Sequence, residues 1–131
     1  MGHGDKLVLS GANFPSYSQG NKLFRMDGLN VPQAAAALLT HFPLDSFIPH
    51  PVERMEVDGK PDEINEVQKE LIDTVKKVSG DNWKVGSIER QQFYVEAKKT
   101  MAVITTSETR PYGCFIFTKG VLKPDGSVWI V

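Results

Sequence analysis

The sequence predicts a single α/β domain, a mostly parallel sheet flanked by helices, and three observations predict it. Its apolar runs are short: Lys6–Ser10 and residues 113–118 each stop close to a glycine. They are too brief for helices and rich in aliphatic, aromatic and β-branched side chains. Between such runs lie segments of helical composition or spacing, at residues 32–39 and 61–78. The chain has 131 residues and is 40% hydrophobic, which suits one domain over 1–131 and leaves no room for a second.

Taken in order, Leu7, Val8 and Leu9 form a buried first strand that Gly11 ends. Residues 11–21, with Gly, Asn, Pro, Ser, Tyr and Gln, predict a loop at the strand's end, a place where function often resides. Residues 23–26 predict a second strand, stopped by Asp27-Gly28. Pro32 suits a first helical turn, and the alanines and leucines at 34–39 carry that helix toward a stop at Phe42-Pro43. Val52, Met55 and Val57 mark a strand over 52–57, closed by Asp58-Gly59. Ile64, Val67, Leu71, Ile72, Val75 and Val78 recur at helical spacing, so 61–78 predicts an amphipathic helix that Gly80-Asp81-Asn82 breaks. A strand over 85–88, a short helix over 91–99 and strands over 101–105 and 113–118 follow. Strands joined by helices favour parallel pairing, because a crossover needs about a dozen residues. The tail, 123–131, reads as a turn with a strand-like end, expected to add an edge strand.

Charge and cysteine usage exclude several classes. With 15 Lys+Arg against 16 Asp+Glu the chain lacks the positive excess of a phosphate-backbone binder, so nucleic acid is not an expected partner. No apolar run approaches the roughly 20 residues of a membrane helix. The start has no basic stretch leading into an apolar one, and the lone Cys114 cannot form an internal disulfide, so a cytoplasmic, reduced protein is the default expectation.

Few residues stand out as chemical. His41, at the end of the alanine-rich helix, reads first as a residue facing unpaired carbonyls, and His50, between prolines, has no distinguishing context. Glycines on both sides of His3 leave its imidazole at an open edge, as they would in a merely flexible terminus. No metal is expected, since there is no His-x-x-x-His, no cysteine pair and no dense carboxylate–histidine group. Cys114, next to Phe115, Ile116 and Phe117, reads as a buried, inert thiol. No glycine pattern fits a nucleotide loop. Arg90 opens a helix and Tyr112-Gly113 opens the last strand, positions suited either to surface packing or to the rim of a site.

Several segments together resemble the family of L-fucose mutarotase and D-ribose pyranase. They are Met1-Gly2-His3-Gly4-Asp5, Ala12-Asn13-Phe14-Pro15, Arg25-Met26-Asp27-Gly28, Pro43-Leu44-Asp45-Ser46-Phe47, Phe93-Tyr94-x-x-Ala97 and Tyr112-Gly113 followed by Lys119-Gly120-Val121. They recur in family order up to Val121, and the Phe-Tyr and Arg-x-Asp-Gly pieces resemble the fucose branch. The resemblance implies an isomerase, free of cofactors, that interconverts the anomers of a monosaccharide by ring opening. One group takes a proton from the anomeric hydroxyl while another protonates the ring oxygen. Imidazole, with a reference pKa of about 6.5, suits that work. His3 matches the family's catalytic histidine, and Arg90 and Tyr112-Gly113 match sugar-binding positions.

The resemblance further implies a homo-oligomer, often a decamer of two pentamers, with sugar sites at subunit boundaries where Trp83 or Trp129 could pack. The sequence departs from the family in three ways. Gly11 stands where a carboxylate is usual, Cys114 replaces the asparagine of a Tyr-Gly-Asn motif, and this sequence starts at the Met-Gly-His-Gly-Asp segment that a helix precedes in the family, which implies either a shortened sequence or an altered assembly. These departures open the alternatives of a non-catalytic or weakened sugar-binding homologue or of an enzyme for ribose or another monosaccharide.

Overall fold

A computed structural model describes residues 2–15 and 22–130 of the chain. Met1, residues 16–21 of the expected loop and Val131 of the tail lie outside the described residues. Six strands form one sheet: β1 (Lys6–Ser10), β2 (Lys22–Met26), β3 (Val52–Met55), β4 (Val85–Ile88), β5 (Ala102–Thr106) and β6 (Phe115–Thr118), in the order β2-β5-β1-β6-β3-β4. Pairs β1–β5, β2–β5 and β3–β4 are parallel, whereas β6 runs antiparallel to both β1 and β3. Five strands thus share one direction, as expected of strands joined by helices, and the sixth runs against them in the middle.

Helices α1 (Val31–Leu39) and α2 (Glu66–Ser79) pack together on one face, and α3 (Arg90–Lys98) covers the other. The alternation of strand side chains builds both layers. Leu7, Leu9, Phe115 and Phe117 face α1 and α2, while Val8 and Ile116 face Phe93 and Ala97 of α3. That two-sided burial explains why β1 and β6 are continuous apolar runs in the sequence.

The element boundaries have local causes. Helix α1 begins at Val31 because Asn30 and Gln33 form a capping box, the Asn30 side chain accepting from the Gln33 N–H and the Gln33 side chain from the Asn30 N–H. Helix α2 begins at Glu66, not Pro61, with Asn65 as its cap, so Ile64 falls before the helix and is exposed. Strand β3 stops at Met55, and the turn after it is tied back by the buried Arg54, which donates to the Pro61 carbonyl.

Among the described residues the tail adds no strand to the sheet. It folds on itself, with a single antiparallel bridge between Leu122 and Val128 and a turn at Gly126, whose φ of +88° favours glycine. Trp83 is buried within the protomer, its indole N–H donating to the Ser79 carbonyl at 2.7 Å, so it packs at home rather than across a boundary.

Candidate active site

His3 sits in a turn. The Asp5 N–H donates to the Gly2 carbonyl at 3.1 Å, and Gly4, at φ +84°, takes the third position, which in a type II turn needs the left-handed region. The turn is fixed to the end of β6 by Gly4 N–H to the Lys119 carbonyl (2.9 Å) and Lys119 N–H to the Asp5 carbonyl (2.8 Å). The segment through Leu44 runs antiparallel beside Lys119, and this delivers Asp45 to the imidazole. His3 Nε2 lies 3.1 Å from Asp45 Oδ1, which also accepts from the Phe47 N–H at 3.1 Å. The Asp45 side chain is 3% exposed and that of His3 47%, so a buried carboxylate orients a ring that still meets solvent. The Phe47 ring leans on the imidazole with centroids 5.0 Å apart.

The other expected site residues gather elsewhere. Gly11, Arg90, Tyr112, Gly113 and Cys114 line a cavity of about 250 Å³ together with Asn13, Phe14 and Tyr94. Tyr112 is held in the left-handed region at φ +60°, a strained conformation for a tyrosine. Its hydroxyl donates to Asp58 at 2.8 Å, and its carbonyl accepts from the buried Gln68 amide at 3.2 Å. A side chain at Gly113 would press on the Glu108 Cγ at 3.3 Å, so glycine keeps the wall flat. Burial pushes the Cys114 thiol up to about 11, with the Gly11 N–H opposing, which makes it a poor nucleophile. Among the described residues no carboxylate pairs with Arg90, which stands exposed at the cavity rim.

A buried ion pair underlies this cavity. Glu108, 5% exposed, accepts from Arg110 Nε at 3.0 Å and Nη2 at 2.8 Å, and from the Val31 N–H at the start of α1 at 3.3 Å. The Arg110 guanidinium also grips Glu70 of α2 at 2.7 and 3.0 Å. Arg110 donation holds the Glu108 carboxyl below the usual carboxylate range, with burial opposing, and the two carboxylates raise Arg110 in turn.

One protomer does not unite the two groups. His3 precedes Lys6 and Gly11 follows Ser10, so the length of β1, about 13 Å for five residues, separates them along the sheet. A larger hollow of about 590 Å³, between the ends of α1 and α2 and the tail, holds His41 but, among the described residues, no acid–base pair. His50 is exposed, with its ring lying over Gly86, which alone leaves it room because a side chain at residue 86 would meet that ring.

Residues 1–122 match the RbsD / FucU transport protein family. The chain belongs to that family. It is 37% identical over 121 residues to an L-fucose mutarotase of Actinobacillus pleuropneumoniae, covering 92% of this chain and 84% of that one. A crystal structure of the fucose mutarotase from Streptococcus pneumoniae in complex with L-fucose superposes with a TM-score of 0.85 at 36% identity, covering 94% of this chain and 87% of the other. A putative sugar binding protein of known structure gives a TM-score of 0.89 at 44% identity over 94% and 85% of the two chains.

Within this RbsD / FucU chain, three side chains of the two clusters carry little signal in the sequence. Asp45 lies inside the Pro43-Leu44-Asp45-Ser46-Phe47 segment, yet its place beside His3 needs the bridge that brings 44 beside 119. Glu108 and Arg110 offered only an i, i+2 charge pair just ahead of Tyr112-Gly113, a signal that a surface loop also gives.

Proposed function

We propose that the protein interconverts the α and β anomers of L-fucose by acid–base ring opening, with no cofactor. The observation that carries this reading is the half-exposed His3 ring held by the buried Asp45, in a chain whose relatives are named as fucose mutarotases. With Nε2–H donated to Asp45, Nδ1 is the ring atom that faces a sugar. Nδ1 takes the proton of the anomeric hydroxyl, and the imidazolium so formed delivers it to the ring oxygen as the C1–O5 bond breaks; closure runs both transfers in reverse after the carbonyl carbon has turned its other face. Asp45 fixes the tautomer and favours the imidazolium that forms transiently.

The sugar is bound between copies of the chain: His3 of one protomer meets the Arg90, Tyr112, Gly113 and Cys114 cavity of another, in a homo-oligomer such as a decamer. The separation of the two groups along β1 supports this arrangement. Arg90 and the polar backbone at Gly11 and Gly113 bind hydroxyls, and Cys114 contributes shape more than hydrogen bonding.

Saturation-transfer NMR on L-fucose tests the activity: the parent exchanges anomers faster than buffer, and His3→Ala returns to the buffer rate. Mixing inactive His3→Ala and Arg90→Ala chains then tests the shared site. About a quarter of randomly formed interfaces hold both native halves, so exchange returns in the mixture. A mixture as inactive as its components sinks the shared site, and a fully active His3→Ala sinks the mechanism. A substrate panel that includes ribose separates the fucose reading from another monosaccharide.

A further inference from the structure

The tail beyond the family match reaches the His3 site. Lys123 N–H donates to the Ser127 carbonyl at 2.7 Å, and the Asp125 carboxylate accepts from the Ser127 N–H and hydroxyl at 2.9 and 2.6 Å, so the turn is internally tied. Trp129 N–H then bonds to the Val121 carbonyl at 2.8 Å, and the Ser46 hydroxyl donates to the Trp129 carbonyl at 2.7 Å. Ser46 is the neighbour of Asp45. These bonds set the indole against Phe47 with ring centroids 6.2 Å apart, and Phe47 is the ring that leans on His3 at 5.0 Å. Phe47 and Trp129 are 48% and 47% exposed, so an open aromatic wall extends outward from the imidazole.

A sugar presented to this imidazole must bring its ring oxygen to it. That oxygen is bonded to C5, and the C5 substituent therefore lies beside the same ring. We propose that Phe47 and Trp129 form the wall that receives the C6 methyl of a 6-deoxyhexose. Trp129 is thus a specificity-determining residue supplied by the tail, favouring a methyl over a hydroxymethyl group that would lose water there. This rests on His3 being the acid–base group.

The test compares L-fucose with L-galactose, the same sugar bearing a 6-hydroxyl, by saturation-transfer NMR on the full chain. Trp129→Ala lowers the fucose-to-galactose ratio of kcat/KM by about fivefold, below the 10- to 200-fold of a fully enclosed methylene because the wall is open on one side. The change is in the KM for fucose, kcat is kept, and Trp129→Phe restores most of the ratio. An unchanged ratio overturns the proposal, and so does an equal loss for both sugars, the mark of a tail that only supports the fold. His3→Ala separates the two levels. If it is inactive while Trp129→Ala keeps the ratio, only the wall falls; if it matches the parent, the acid–base reading falls and the wall with it.

Discussion

Replacing Arg110 with methionine isolates the ion pair beneath the cavity. The variant leaves the Glu108 carboxylate, 5% exposed, with two backbone donors, the N–H groups of Val31 and of residue 110, both at 3.3 Å. Removing one partner of a buried pair costs about 3–5 kcal/mol; because the Arg110 side chain is 30% exposed, water reaches part of the vacated space, and about 2–3 kcal/mol is expected. In the parent, Glu108 ionises below its ordinary range chiefly because Arg110 donates to it. The stability this adds is present above the unfolded value of about 4.3 and is lost as pH falls through the lower native value. In Arg110→Met burial prevails, the native value rises, and the variant loses stability as pH climbs from about 4 to 7. The gap between parent and variant is therefore narrow near pH 4 and full at pH 7. Urea unfolding at both pH values measures it, and adding Glu108→Gln to the variant recovers about 1 kcal/mol or more. A deficit under about 0.5 kcal/mol at pH 7, or one of equal size at pH 4, refutes the reasoning.

Three further outcomes are expected. Gly120→Ala would place a methyl 2.2 Å from the Leu44 carbonyl oxygen, a backbone clash that moves Asp45; urea unfolding should show a loss of about 3 kcal/mol, and fucose exchange should fall with it. Asp45→Asn keeps the fold by circular dichroism but lowers kcat by about tenfold or more with KM little changed, and an unaltered kcat would remove Asp45 from the mechanism. Cys114 reacts with a chromogenic disulfide at pH 8 about 100-fold or more slowly in the native protein than in denaturant, because burial suppresses its thiolate; equal rates would contradict its burial.

The legible parts of the fold are those where one local signal decides. Strands β1 and β6 are apolar on both faces because the sheet is covered on both, and α2 shows its stripe from Val67 to Val75. The stripe misled at both ends: Ile64 kept the period but Asn65 took the cap, and Val78 keeps the period yet is exposed. The tail's turn was visible in Pro124-Asp125-Gly126, whereas its docking on Ser46 depends on contacts 83 residues apart. The site divides in the same way. His3, Arg90 and Tyr112 were reached through motifs, but no spacing tells that β1 holds the first of them apart from the other two. Asp45 and Glu108 are ordinary carboxylates until the strand order buries them.

That strand order also governs how the chain can come together as it is made. Neither β1 nor β2 touches the other; both wait for β5, and β6 alone joins that group to β3 and β4. Before residue 102 emerges from the ribosome, the only strand partners available among the described residues are β3 and β4. Assembly is thus deferred to the end of synthesis, and a message truncated before residue 115 yields two unjoined fragments of sheet whose apolar faces lie open to chaperones and proteases.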